Sequence, residues 1–144
     1  MDKHDVDKIR AFNRFYTKVI GLLDKFLLDS KFTLPEVRVM YEIYHAKKIS
    51  AKTITELLDM DKSYLSRVLL SFEKKGLIEK TSDHADARVQ LIALSATGAK
   101  EYEKLNKASD NQIADIMENL NDQEVNKLIS HMEAIQNILS KISK

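Results

Sequence analysis

Gly76 marks a change of hydrophobic period in this chain. Before it, apolar residues recur every three or four positions, as in Val6, Ile9, Phe12, Phe15 or Tyr16, Val19 or Ile20, Leu23, and Phe26 or Leu27, and again in Leu65, Val68, Leu69 and Phe72. That spacing gathers side chains on one side of a helix. After it, Leu77–Thr81 and Val89–Leu94 read as two short strands around the polar run Ser82–Arg88, a hairpin with a projecting tip. Helical spacing returns at Ser95 and runs to the end. With three glycines and one proline in the whole sequence, the helices are expected to be long. The expected fold is mainly α with one small β-hairpin wing.

Capping residues divide the helical stretches. Thr33 caps a helix with Pro35 in its first turn and Glu36 at the box position. Its expected buried side is Val37, Met40, Tyr41 and Tyr44, and it should end near Lys47. Ser50 or Thr53 opens a short helix with Ile54, Leu57 and Leu58 as its apolar face. Asp59-Met60-Asp61 breaks it, and Asp61 caps the next helix. That helix turns Leu65, Val68, Leu69 and Phe72 inward and stops at Gly76, with Lys74 and Lys75 where cations suit the helix dipole. Ser95 caps a long helix towards Leu120. Asn121 and Glu124 form a capping box for the last helix, with Leu120 and Val125 as a hydrophobic staple. Its stripe is Val125, Leu128, Ile129, Met132, Ile135, Ile138, Leu139 and Ile142.

Two short helices joined by a tight turn and followed by a two-stranded wing form an arrangement that docks on DNA. The second helix enters the major groove, and its N-terminal half meets the base edges. Here that half is Lys62-Ser63-Tyr64-Leu65-Ser66-Arg67. Ser63, Tyr64, Ser66 and Arg67 are expected to face DNA. Arginine can take guanine bidentately, and serine reads bases permissively. Lys62 and Lys74 suit phosphates. In the wing, Arg88 is expected at the tip, with Asp86 and His84 beside it. The net charge is only +1, but binding DNA requires local positive charge rather than a basic total.

Other functions find little foothold. The sequence has no cysteine, which excludes disulfides, thiolate metal sites and thiol redox switching. It carries no Gly-rich phosphate loop and no Gly-x-Ser-x-Gly, so an enzyme is not expected. His4, His45, His84 and His131 are scattered. Glu42 and His45 share a helix face but make no ligand set, so neither metal nor cofactor is expected. No apolar run has the length of a membrane span, and the N-terminus does not read as a secretion signal. A cytoplasmic location fits.

The run Ile54–Ser95 resembles the DNA-binding lobe of the multiple-antibiotic-resistance regulator (MarR) family. The carrying pieces are Leu65-Ser66-Arg67, Phe72-Glu73-Lys74-Lys75-Gly76-Leu77-Ile78, Asp86-Ala87-Arg88 and Leu94-Ser95-Ala96-Thr97-Gly98. The chain departs from the family pattern at Ala87, where a second wing arginine is usual. It also departs at Ser95, where threonine is usual, and at Asp59, where glycine is usual. The segment Ile9–Tyr16 resembles the subset fused to an acetyltransferase, so the alternative function is a regulatory or protein-interaction lobe.

The resemblance implies a dimeric transcription regulator, most often a repressor, on double-stranded DNA. It implies one winged helix-turn-helix domain over 1–144. Segments 5–29 and 96–143 would form the dimerisation helices, and 34–95 the DNA-binding lobe. The unpartnered terminal stripes give this a physical reason, since such faces call for a second surface. The family often binds small aromatic or phenolic effectors. Phe12, Phe15, Tyr16, Phe26, Tyr41 and Tyr44 can line such a pocket or pack as ordinary core.

Overall fold

Thr33 sets the frame of the central lobe. Its hydroxyl accepts from the Glu36 N–H at 3.3 Å while Glu36 accepts from the Thr33 N–H at 3.0 Å, the reciprocal box expected from the sequence. The computed structural model describes the backbone of residues 1–28 and 30–142, and the side chains of all of these except 23–28. The side chains of the expected stripe residues Leu23 and Leu27 and of the candidate Phe26 lie outside what is described, as do the ends of the expected dimerisation segments at 29 and 143. The chain divides into two units, Met1–Ser109 and Asp110–Lys144.

The elements are α1 (Lys3–Leu28), α2 (Leu34–Ala46), β1 (Ile49–Ser50), α3 (Ala51–Leu58), α4 (Lys62–Lys74), β2 (Ile78–Ser82), β3 (Gln90–Leu94), α5 (Ala96–Met117) and α6 (Asp122–Leu139). The fold is mainly helical with a small antiparallel sheet. β2 and β3 pair as the expected hairpin, from Ile78 opposite Leu94 to Ser82 opposite Gln90. The sequence reading missed β1, which pairs Ile49 with Ile92 and Ser50 with Leu91 and makes β3 the central strand. Two residues are too few to show a period, so β1 is defined only by its partner.

One core holds the first unit together. It joins Val39, Met40 and Ile43 of α2, Ile54 of α3, Leu65, Val68, Leu69 and Phe72 of α4, and Ile49, Ile78 and Ile92 of the strands. Phe32, Leu77, Tyr102 and Leu105 complete it. Truncating Phe72 or Met40, both fully buried, would cost about 2–5 kcal/mol.

The α4 register agrees with expectation, but two others do not. On α2 the buried set is Val39, Met40 and Ile43, while Tyr41 and Tyr44 are 48% and 36% exposed. Two stripes share Met40, and the aliphatic one takes the core because a buried tyrosine hydroxyl needs a partner. Tyr44 instead donates its hydroxyl to Glu103 at 3.3 Å. On α3, Ile54 is buried and Leu58 half-buried, but Leu57 is 58% exposed.

The turns are specific. Ser50, rather than Thr53, caps α3 and accepts from the Thr53 N–H. Asp59 ends that helix in the left-handed region with φ 48°, a conformation that aspartate tolerates better than most residues. Gly76 follows α4 at φ +70°, where any Cβ would be strained. Gly98 is a closer fit, because a Cβ there would collide with the Leu77 carbonyl. Ser95 completes the junction: its N–H donates to the Leu77 carbonyl at 2.9 Å, and its hydroxyl accepts from the Gly98 N–H at 3.0 Å. In the second unit, Asn121 and Glu124 form the expected capping box for α6.

Candidate nucleic-acid interface

α4 begins where Asp61 accepts a hydrogen bond from the Tyr64 N–H at 3.0 Å, satisfying a first-turn donor. Burial of Leu65, Val68, Leu69 and Phe72 fixes the helix's rotation. Lys62, Ser63, Ser66, Arg67 and Lys74 are exposed as a result. Tyr64 differs from the rest of the predicted set. It is half-buried and packs against the core, with the Arg67 guanidinium 5.7 Å from its ring centroid. That stacking supports an arginine that stays free to reach outward.

The wing is built on short-range hydrogen bonds. Asp83 accepts from the Ala85 N–H at 3.0 Å, and Asp86 accepts from the Arg88 N–H at 3.1 Å. Asp86 also takes the Arg88 side chain in a fork, Nε at 3.1 Å and Nη2 at 3.2 Å. The Arg88 side chain is 91% exposed, and Asp86 therefore orients it. The side-chain hydrogen bond from Arg88, helped by the backbone one, holds the Asp86 carboxyl below the usual aspartate range. His84 is exposed near the same tip. The last turn of α4 is tied to β2 by Glu73 and Lys80, 3.2 Å apart.

The aromatic residues considered for an effector site fall into two groups. Phe12 and Tyr16 stack on α1 with centroids 5.6 Å apart, and Phe15 is exposed on the same helix. Tyr41 and Tyr44 surround His45 together with Tyr102. The Nδ1–H of His45 donates to the Tyr41 carbonyl at 3.0 Å. An open cleft of about 290 Å³ in the same unit is lined instead by Lys31, Phe32, Glu101, Lys104 and Leu105, among others. Among the described residues no cluster of three or more His, Asp or Glu could hold a metal ion, and no helix is long and apolar enough to cross a membrane.

One residue of the α4 surface was not singled out from the sequence. Leu70 lies on the outward face, four positions after Ser66 and three after Arg67, and is 50% exposed. The same spacing that places the inward set would have found it.

Residues 32–89 match the profile of the MarR family. This lobe is similar to that of the MarR family. The Bacillus subtilis (strain 168) protein YdgJ, an uncharacterized HTH-type transcriptional regulator, is 24% identical over 125 residues, covering 87% of this chain and 75% of that one. The structure of wild-type MarR from E. coli in its apo form superposes with a TM-score of 0.75 at 24% identity, covering 88% of this chain and 94% of that one. Streptococcus pneumoniae FabT, in complex with DNA, gives a TM-score of 0.77 at 15% identity, over 99% of this chain and 100% of that one. These likenesses establish the winged-helix fold. On that fold, the wing has Asp86 and Arg88 with Ala87 between them.

Proposed function

We propose that the chain is a sequence-specific transcription regulator of the cytoplasm. In this reading it binds double-stranded DNA as a homodimer and represses until a small aromatic or phenolic effector releases it. The observation that carries the reading is the two-part cationic surface of the lobe. α4 exposes Lys62, Ser63, Ser66, Arg67 and Lys74 over a fully apolar inner face, and the wing presents Arg88 on an Asp86 bracket. A helix of this kind suits the major groove, and a tip arginine suits the narrow minor groove, where negative potential is focused. FabT, of the same fold, is known in complex with DNA.

Homodimerisation is supported by apolar faces left open in the single chain. Ile9, Phe12 and Phe15 are exposed on α1, and Ile129, Met132, Ile135, Ile138 and Leu139 on α6. The test is a gel shift on mixed and on selected duplexes at rising salt. Binding that falls steeply with salt and favours an inverted repeat is the expected result. Failure to bind any duplex at low salt would overturn the reading. Release of a selected site by small aromatic acids, read in the same assay, tests the effector.

A further inference from the structure

We propose that Leu70 reads a thymine, its side chain packing on the 5-methyl group in the major groove, so that each half-site holds a T·A pair at one fixed position. The inference rests on the DNA-binding reading above and deepens it. Its first ground is position. Ser63, Ser66 and Arg67 are followed by Leu70, four positions after Ser66 and three after Arg67, and by Lys74, four after Leu70, which places them on one helix face. That face is opposite to the buried Leu65, Val68, Leu69 and Phe72.

The second ground is burial. The inward residues of α4 are at most 6% exposed, whereas Leu70 is 50% exposed. It is an aliphatic side chain left in water in the middle of a polar face. The third ground is charge. The other outward residues are serines and cations, and the one acidic residue within α4, Glu73, is paired with Lys80. Such a face matches a polyanion, and an apolar protein partner would have to desolvate Arg67 and Lys74. Within the major groove every base edge offers hydrogen-bonding atoms, and thymine alone adds a methyl group. An aliphatic side chain flanked by phosphate- and base-seeking groups therefore has one apolar target there.

The test uses the full chain and duplexes selected from random sequence. Each thymine is replaced in turn by deoxyuridine, which removes only the methyl group, and affinity is measured for the wild type and for Leu70→Ala. The expected result is one position per half-site where deoxyuridine weakens the wild type roughly fourfold, as for one buried methyl. Leu70→Ala should be nearly indifferent there and unchanged in its response elsewhere. Circular dichroism and melting of Leu70→Ala should match the wild type, since the side chain is half in water. Equal deoxyuridine losses in both proteins at every position, or selected half-sites without a thymine, would overturn the assignment while leaving DNA binding in place. No salt-dependent binding by the wild type would overturn the underlying reading, and this one with it.

Discussion

Arg88 would be a mobile surface cation without Asp86. The forked contact and the backbone bond from Arg88 use the same carboxyl group, so the turn and the guanidinium are oriented together. Arg88→Ala is expected to weaken DNA binding by about 1–3 kcal/mol, with an unchanged melting curve because the side chain touches no core residue. Affinity equal to the wild type at moderate salt would remove Arg88 from the interface. The pair also has a sign with pH. Asp86 titrates below its usual range because Arg88 favours the charged carboxylate. The contribution is therefore complete above the usual aspartate range and lost as pH falls through the lowered value. Carboxyl carbon shifts should show Asp86 titrating higher in Arg88→Ala than in the wild type. An identical midpoint in both would mean that the fork does not persist in solution.

The element that sets the wing's place is the junction between β3 and α5. Ser95 donates its hydroxyl to the Gly76 carbonyl at 2.6 Å and its N–H to the Leu77 carbonyl, and Gly98 lets the first turn of α5 sit against Leu77. The obstacle to a side chain there is backbone rather than a flexible side chain, so little can give way. Gly98→Ala is expected to destabilise the first unit by about 1–3 kcal/mol, seen as a lower urea midpoint with an unchanged slope. A midpoint equal to the wild type would show that the junction relaxes freely. Ser95 stands where the family has threonine, and its hydroxyl makes the capping bond to the Gly98 N–H. The departure at Ser95 therefore leaves the cap intact.

For the molecule as a whole, the exposed apolar faces bear on the proposed assembly. In α6 no residue is buried in the single chain, although its stripe is as apolar as the core-facing stripe of α4. On the proposed homodimer those residues gain a partner surface, and the double replacement Ile135→Glu with Ile138→Glu should bury charge there. Sedimentation equilibrium is expected to show monomers, and DNA affinity should fall with dimerisation. A double variant that remains a dimer and binds as the wild type does would place the interface elsewhere. Two-fold symmetry would set the half-sites about one turn apart, roughly 10 bp centre to centre, which footprinting on a selected site reads directly.

Local chemistry in the sequence determined the helix caps at Thr33, Asp61 and Asn121, the turns at Asp59 and Gly76, the β2–β3 hairpin and the inward set of α4. Each depends on groups a few residues apart, and a hydrogen bond to a neighbouring N–H or a positive φ does not wait for the rest of the fold. Tertiary structure alone decided what depends on distant neighbours. β1 exists only because β3 lies beside it. α2 carries two apolar stripes, and packing on the core selected Val39, Met40 and Ile43 over the tyrosines because aliphatic groups need no hydrogen-bond partner in the interior. Tyr64 is half-buried rather than fully outward because its ring packs against the core while the Arg67 guanidinium lies over that ring. Leu70 belongs with the sequence-determined set, since the spacing that turns Leu65, Val68, Leu69 and Phe72 inward also turns it outward, and the structure added only its half exposure.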